Sequence, residues 1–236
     1  MAGGKGTRLR PYTHILPKPL LPIGLRSIID INIRQLADCG VKKIIIAVGY
    51  LGELIQNAIG DGSKYGLEIS YSYEERPLGT VGGLSLIEER LEEDFFVLNG
   101  DILHNLNFKH LFSLHKRRES DITITTYKQN HNIRLGVLEL DEDQNIINYI
   151  EKPSKKFIVS IGVYAINKNS IKKYIKKTNY LDFPNLVNQM VENKNKIVSY
   201  MHEGLWKDLG TTEDYINITD KLEDIKIEYP EIPIFT

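Results

Sequence analysis

The stretch that decides the fold is Val41-Lys-Lys-Ile-Ile-Ile-Ala-Val-Gly-Tyr-Leu-Gly-Glu-Leu-Ile-Gln-Asn-Ala-Ile-Gly60. Its first eight residues form a β-branched run that is apolar on both faces toward its end, as in a buried parallel strand. The apolar residues that follow recur at helical spacing, and Gly60 is a typical helix stop. A strand followed directly by a helix predicts one βα unit of a parallel sheet.

The same alternation continues on both sides of this unit. Helical patterns are found at 29–36, 84–91, 170–177, 183–192 and 213–222. Strand patterns are found at 67–73, 95–98, 121–128, 134–140, 145–150 and 158–166. No linker-like stretch or internal repeat interrupts them. The sequence therefore predicts a single α/β domain in which helices flank a mixed, mostly parallel sheet.

Composition narrows the classes of function. The 236 residues are 42% hydrophobic and 26% charged, with a net charge of −1, so no basic field indicates a nucleic acid or an anionic membrane as partner. A single cysteine, Cys39, excludes an internal disulfide and a four-thiolate zinc site. No apolar run approaches the roughly 20 residues of a spanning helix, and the first residues lack a secretion signal. We expect a soluble, cytoplasmic enzyme or ligand-binding domain without a nucleic-acid or membrane partner.

The chain opens with a Gly-rich turn, Ala2-Gly-Gly-Lys-Gly-Thr-Arg-Leu-Arg-Pro11. Glycines let backbone N–H groups approach an anion closely, and Lys5, Arg8 and Arg10 carry charge suited to phosphate oxygens. On composition alone, a flexible loop with incidental charge is about equally compatible with this stretch. The P-loop and dinucleotide-binding glycine fingerprints are both absent.

The position of this turn is unusual. A Gly-rich turn of this kind ordinarily follows the first, central strand of a doubly wound sheet, but here it begins at residue 2. Either Met1 is an internal residue of a longer polypeptide, which we favour, or the sheet lacks its first central strand.

Several further motifs carry side chains that could take part in binding or catalysis. Lys18 is held between Pro17 and Pro19, which fix its backbone. Asp101 follows a buried strand in Asn-Gly-Asp and is a candidate metal ligand, although a lone turn aspartate more often caps the next element. Asp208 lies just ahead of a predicted helix. Each has an ordinary structural explanation, and their joint occurrence is what indicates a site.

Taken together and in order, six motifs resemble the sugar-phosphate nucleotidyltransferases, also called NDP-sugar pyrophosphorylases. They are Gly3-Gly-x-Gly-Thr-Arg-Leu-x-Pro11, Pro17-Lys-Pro-Leu-Leu-Pro-Ile-Gly24, Pro77-Leu-Gly-Thr-x-Gly82, Asn99-Gly-Asp101, Glu151-Lys-Pro153 and Trp206-x-Asp-Leu-Gly210. The chain is most similar to the guanylyltransferase-type branch, whose catalytic domain often follows tandem CBS domains. The resemblance implies a Rossmann-like, GT-A-type fold.

The resemblance also implies a reaction and a distribution of roles. A nucleoside triphosphate and a sugar 1-phosphate would give an NDP-sugar and pyrophosphate by an Mg²⁺-dependent in-line displacement at the α-phosphorus. The catalytic residues would be Arg8, Lys18 and Asp101, with Asp101 and Asp208 binding Mg²⁺. Nucleotide contacts would come from Ala2, Gly3, Gly4, Gly6, Thr7, Glu74, Gly79 and Thr80. Sugar-phosphate contacts would come from Gly136, Glu151, Lys152 and Gly162.

The nucleobase can be argued one step further. Glu74 stands where the family contacts the base, and a carboxylate only accepts hydrogen bonds. Guanine offers two neighbouring donors, N1–H and N2–H₂, so we favour GTP; Glu75 is the alternative residue for this role.

On this hypothesis residues 1–236 form one catalytic domain, truncated at its N terminus. A nucleotide half would cover about 1–105, a sugar-phosphate half about 106–222 and an irregular tail 223–236. The resemblance is compatible with a homo-oligomer and with a CBS-type regulatory module upstream of this domain, and the sequence decides neither. The alternatives are a non-catalytic subunit that binds nucleotide or sugar phosphate, and a glycosyltransferase, which would ordinarily show Asp-x-Asp at the metal strand. No histidine pair has metal-ligand spacing, and His110 and His115 are expected on a helix surface.

Overall fold

The computed structural model describes residues 1–177 and 179–234. The strands are β1 (Pro22–Ile23), β2 (Arg26–Ser27), β3 (Lys43–Val48), β4 (Glu68–Tyr73), β5 (Asp94–Leu98), β6 (Ile102–His104), β7 (Ile122–Asn132), β8 (Val137–Leu140), β9 (Ile146–Ile150), β10 (Ser154–Asn167), β11 (Ile197–His202) and β12 (Trp206–Asp208). The helices are α1 (Ile28–Asp38), α2 (Gly52–Ile59), α3 (Gly79–Gly82), α4 (Phe108–Arg117), α5 (Lys168–Ile171), α6 (Phe183–Glu192), α7 (Thr212–Thr219) and α8 (Leu222–Glu228). None of the helices in these described ranges is long and apolar enough to cross a membrane.

The main sheet confirms the mixed α/β fold. β3 and β4 are parallel, and a second group is ordered β11-β7-β10-β5. Within it β7 and β11 are parallel, while β10 is antiparallel to both of its neighbours. Met1 and Ala2 lie between β3 and β5, and Ala2 forms a parallel bridge with Val48. All the main strands except β10 therefore point the same way, and their carboxyl ends meet at one edge.

The sheet is interrupted where the Gly-rich turn predicts a central strand. Among the residues that the structure describes, only Met1 and Ala2 bridge β3 and β5, and below them a cleft separates the two strands. Apolar clusters cover both faces of the sheet, with α1 and α2 packed against β3 and β4, and α4 packed beside β5 and β10.

Three local expectations are wrong. Residues 84–91 form two short 3₁₀ turns, Gly83–Leu86 and Glu88–Arg90, because the Gly82-Gly83 pair weakens an α-helix and Ile87 leaves helical geometry at φ −125°. The helix expected at 170–177 stops after α5, where lysines at i, i+4 spacing repel along one face. The tail expected to be irregular from residue 223 begins instead within α8, which ends at Glu228.

His115 also differs from expectation. It is buried, and its ring nitrogens contact the Thr123 hydroxyl at 2.9 Å and the Asp94 carboxylate at 3.3 Å. Its side chain therefore ties α4 to the sheet, whereas His110 is exposed as predicted.

Candidate functional site

The Gly-rich turn has a fixed shape at the carboxyl edge of the sheet. Gly6 has a left-handed φ of 58°, and its carbonyl accepts from the Leu9 N–H at 2.9 Å and from the Thr13 hydroxyl at 2.8 Å. A Cβ at Gly6 would lie 2.9 Å from Thr13 Cγ2. Backbone angle and close approach thus both require glycine. Because Leu9 is fully buried, the turn is anchored to the core.

Lys18 brings two distant parts of the chain together. Its ammonium donates to Asp101 Oδ2 at 2.6 Å and lies 3.7 Å from Asp208 Oδ1. Only 9% of the lysine side chain is exposed, so its charge faces the two carboxylates rather than solvent. Asp101 follows β5, and Asp208 ends β12, which pairs with β6 so that Asp208 lies opposite Ile102. The sheet ends therefore place both predicted metal ligands at the Lys18 ammonium.

A cavity of about 270 Å³ opens in front of this group. It is lined by Met1, Ala2, Gly4, Gly6, Thr7, Arg8, Lys18, Pro19, Asp101 and Gly210. Four of the five residues of the Gly-rich turn that were expected to hold a triphosphate therefore line this cavity. The three expected catalytic residues, Arg8, Lys18 and Asp101, line it as well. Backbone N–H groups of a glycine turn beside Lys18 and Arg8 make this cavity suited to an anion. Gly3 instead packs against the backbone of Gly49.

The two carboxylates influence one another. Partial burial raises the pKa of Asp208 above its ordinary value; Lys18 and Arg8 oppose this shift, and the neighbouring Asp101 carboxylate adds to it. Because the Asp208 side chain is still 51% exposed, solvent screens much of this effect on its pKa. Two carboxylates held close enough to repel are a site that a cation stabilises.

This pair fits Mg²⁺. Among residues 1–177 and 179–234 no cluster of three or more His, Cys, Asp or Glu side chains is placed to hold a metal. Mg²⁺ commonly takes only one or two carboxylates from a protein and completes its shell with phosphate oxygens and water. The chemistry of the donor set, two carboxylates beside an anion cavity, therefore matches that ion.

Glu74 lies close enough to the amino group of Met1, a residue that lines the cavity, to raise the pKa of that group. It follows β4 and is half-buried, and its Oε2 accepts from the Leu78 N–H at 3.1 Å. A Cβ on Gly83 would meet the other carboxylate oxygen, so the glycine leaves room for the glutamate. The alternative residue, Glu75, is exposed. Glu74 is thus the better fixed of the two carboxylates.

Gly79 and Thr80 have a structural task that sequence alone does not show. Gly79 has φ 81°, and a Cβ there would lie 2.6 Å from the Leu181 carbonyl oxygen. The Thr80 N–H donates to Asp182 at 2.9 Å, and its hydroxyl accepts from the Phe183 N–H at 2.7 Å. Both residues fasten the loop to the start of α6, and their nucleotide contacts stay a prediction.

The expected sugar-phosphate residues are divided between two places. Gly162, at φ 79°, accepts from the Asn99 N–H at 2.9 Å and so lies beside the strand end that carries Asp101. Gly136, Glu151 and Lys152 belong to the β8–β9 arm, where both charged side chains are exposed and pair with each other at 3.6 Å. No hydrogen bond or ion pair of the described residues joins this arm to Lys18, Asp101 or Asp208. Its role also stays a prediction.

Sequence reasoning missed three contributors to the cavity. Gly210 lines it and belongs to the Trp-x-Asp-Leu-Gly motif, which could have indicated it. Thr13 shapes the turn through Gly6, and no pattern in the sequence marks it. The Met1 amino group is buried near Asp101 and Glu74, both of which raise its pKa against the larger lowering by burial.

Comparisons with known proteins identify the family of the chain. The family model described as "Nucleotidyl transferase" matches residues 1–225. The mannose-1-phosphate guanyltransferase of Candida albicans is 37% identical over 231 residues, which cover 93% of this chain and 62% of the relative. The mannose-1-phosphate guanylyltransferase of Mycobacterium tuberculosis is 30% identical over 225 residues, covering 92% of this chain and 61% of the relative. The chain thus spans about three fifths of the length of these relatives.

A solved structure matches over nearly the whole of both chains. HddC from Yersinia pseudotuberculosis, complexed with GMP-PN, superposes with a TM-score of 0.72 at 25% identity, covering 93% of this chain and 96% of that one. The overall path of the polypeptide is therefore shared with HddC.

Proposed function

Because the chain belongs to the nucleotidyl transferase family, we propose that it transfers a nucleoside monophosphate from a nucleoside triphosphate to a sugar 1-phosphate. GTP is the favoured nucleotide, and mannose 1-phosphate is the first sugar phosphate to test, since the names of its relatives print mannose 1-phosphate and the transfer of a guanylyl group. The observation that carries the proposal is the convergence of the Gly-rich turn, Arg8, Lys18 and Asp101 on one cavity, with Asp208 at the same ammonium.

The chemistry requires positive charge more than a base. An oxygen of the sugar phosphate forms a bond to the α-phosphorus, and the bond to the bridging oxygen breaks, its electron pair leaving with pyrophosphate. Two like unit charges about 4 Å apart repel by about 4 kcal/mol at an effective dielectric of 20. Lys18 and Arg8, with the backbone N–H groups of the Gly-rich turn, offset that repulsion and hold the anions in line.

Asp101 and Asp208 would hold Mg²⁺, which supplies charge neutralisation at the phosphate oxygens when bound. Lys18 donates a hydrogen bond to Asp101 and forms a longer ion pair with Asp208, and its four-carbon stem lets the ammonium turn toward a phosphate oxygen. The charge of the lysine thereby offsets part of the repulsion between the two carboxylates.

Guanine specificity would rest on Glu74. One of its oxygens is held by the Leu78 N–H, which fixes the carboxylate above Gly83. A fixed pair of acceptor oxygens suits the adjacent N1–H and N2–H₂ donors of guanine and suits no other common base equally well. The sugar-phosphate contacts are assigned to Gly162 near Asp101 and to Gly136, Glu151 and Lys152 on the β8–β9 arm.

The deciding assay is pyrophosphate release with each common nucleoside triphosphate and a panel of sugar 1-phosphates, followed by identification of the nucleotide sugar. We expect Mg²⁺-dependent turnover with GTP, and a large loss in Lys18→Gln. Lys207→Gln is the matched control, because Lys207 is exposed and successive side chains of β12 point to opposite faces.

Two results would contradict the proposal. Tight GTP binding without pyrophosphate release under any sugar phosphate would favour the non-catalytic subunit. Clear preference for UTP, dTTP or CTP would reject the role assigned to Glu74 while leaving the reaction class in place.

A further inference from the structure

The start of α6 is capped in an unusual way. Asp182 stands at the N-cap position of this helix, where an aspartate ordinarily accepts from a backbone N–H of its own first turn. Its carboxylate makes no such bond and instead accepts from the Thr80 N–H, in the first turn of α3, at 2.9 Å. The Phe183 N–H at the start of α6 in turn donates to the Thr80 hydroxyl at 2.7 Å. The two helices therefore cap one another, although Thr80 and Asp182 are 102 residues apart.

Backbone hydrogen bonds join the same two segments. The Leu181 carbonyl accepts from the Val81 N–H at 3.0 Å and from the Gly82 N–H at 3.1 Å. The Leu181 N–H donates to the Leu78 carbonyl at 2.9 Å. The conformation of the 78–82 turn is therefore held by the 181–183 segment, which comes much later in the chain, as well as by bonds within the turn.

The Leu78 peptide links this arrangement to Glu74. Its carbonyl accepts from Leu181, and its N–H donates to Glu74 Oε2 at 3.1 Å. A Cβ on Gly83, which directly follows α3, would collide with the other carboxylate oxygen of Glu74. The 78–83 turn thus contacts both oxygens of this carboxylate, and the turn is itself held by the 181–183 segment.

The Asp182 carboxyl is suited to hold this turn as an anion. The hydrogen bond from the Tyr180 hydroxyl lowers its pKa most, burial opposes this shift, and the bonds from Thr80 lower the pKa further. An ionised acceptor binds a backbone N–H more strongly than a neutral one does. The bond from Asp182 to the Thr80 N–H is therefore one of the stronger contacts between the two segments.

We propose that Asp182 is a positioning residue for recognition of the nucleobase. By holding the 78–83 turn against the start of α6, it places the Leu78 N–H and thereby orients the Glu74 carboxylate toward the N1–H and N2–H₂ donors of guanine. Hydrogen bonds depend steeply on angle, so a loosened turn reduces the selectivity for the base before it reduces the rate of the reaction. The inference rests on the proposed function, since it takes Glu74 as the residue that contacts the base.

The test compares the Kd of GTP with that of inosine triphosphate, which lacks only the 2-amino group of guanine. Asp182→Ala should lower the preference for GTP at least about tenfold and change kcat with GTP less than about threefold, because a hydrogen bond to the base is weakened. Asp182→Asn keeps an oxygen that accepts from the Thr80 N–H and should retain the preference. Asn107→Ala is the matched control, because Asn107 caps a different helix, α4, through the His110 N–H.

A double variant shows whether Asp182 acts through Glu74. In a Glu74→Gln background, Asp182→Ala should change the preference by less than about twofold, because the effects of coupled residues do not add. An equal fall in both backgrounds, an equal fall in Asn107→Ala, or no fall in Asp182→Ala would overturn the inference.

Hydrogen exchange separates this inference from the proposed reaction. With no nucleotide present, the amides of Thr80 and Val81 should exchange at least about tenfold faster in Asp182→Ala. Exchange that is no faster overturns the inference whether or not the chain turns over GTP. A chain that binds GTP without releasing pyrophosphate rejects the reaction, while the exchange rates and the two Kd values still decide the role of Asp182. A chain that binds neither nucleotide rejects both.

Discussion

Lowering the pH from 8 to 6 should destabilise the chain through the amino group of Met1. Burial lowers the pKa of this group from 8.0 to about 6, against the opposing carboxylates of Asp101 and Glu74. Between these two values the unfolded chain binds the proton and the folded chain does not, so the free energy of unfolding must rise with pH. The penalty is complete below about pH 6 and vanishes above about pH 8.

The magnitude follows from the pKa difference. A tenfold difference in proton affinity is worth about 1.4 kcal/mol, so the complete effect is about 2.7 kcal/mol. Because the amino group titrates across this interval in both the folded and the unfolded chain, the free energy of unfolding falls by only about 2 kcal/mol on going from pH 8 to pH 6. For a chain of this length that loss corresponds to a fall in Tm of about 4–8 °C.

Other groups titrate in the same interval, so a control is needed. Burial, with a smaller contribution from His202, lowers the pKa of His104 to about 3, which adds a loss of about 1 kcal/mol in the same direction. Burial also lowers the pKa of His115. N-terminal acetylation removes only the amino titration and keeps an N–H that can donate to Leu98.

The assay is urea unfolding of the free and acetylated chains at pH 6, 7 and 8. The free chain should lose about 2 kcal/mol more than the acetylated chain between pH 8 and pH 6. If both chains show the same pH dependence, the Met1 amino group is not buried as the structure has it, and the argument fails.

Three further substitutions are informative. Asp101→Asn should lower kcat at least about 1,000-fold, equal to about 4 kcal/mol, with Tm little changed; near-normal Mg²⁺-dependent turnover would contradict the metal assignment. Gly83→Ala should displace the Glu74 carboxylate and raise the KM for GTP about tenfold, while kcat stays similar, because the added Cβ clashes with the end of a flexible side chain. Unchanged KM values for all nucleotides would show that Glu74 does not contact the base. Phe108→Ala should lower the free energy of unfolding in urea by about 3–5 kcal/mol, since Phe108 is 1% exposed and packs on Phe96 with 5.3 Å between ring centroids. A loss below about 1 kcal/mol would mean that the core at Phe108 is not packed as described.

The elements that sequence patterns predicted best are those whose patterns are strong and local. β3 and α6 match their predicted ranges within two residues, because a β-branched run and a Pro-initiated amphipathic helix each specify one structure. The segments that failed lie where two local tendencies compete. At 84–91 the apolar spacing is helical, but the preceding glycines favour a tighter turn, and tertiary packing decides.

The candidate site could be predicted as far as its motifs extend. Lys18, Asp101 and Asp208 are far apart in the chain, and their proximity depends on which strand ends share one edge of the sheet. The bonds from Thr80 to the start of α6 could not be predicted, since nothing near Thr80 in sequence indicates its partner 103 residues away. Long-range pairing of this kind is set by the completed fold rather than by local pattern.

The short pairing of β12 with β6 has a practical consequence for spectroscopy. β12 begins at Trp206, the only tryptophan in the chain, and ends two residues later at Asp208. The indole packs against Tyr127 with 5.5 Å between ring centroids, and its N–H is buried with no hydrogen-bond acceptor among residues 1–177 and 179–234. Intrinsic fluorescence excited at the red edge of tyrosine absorption therefore arises from one fluorophore on the same strand as Asp208, a predicted metal ligand, and gives an optical signal for titrations that needs no label.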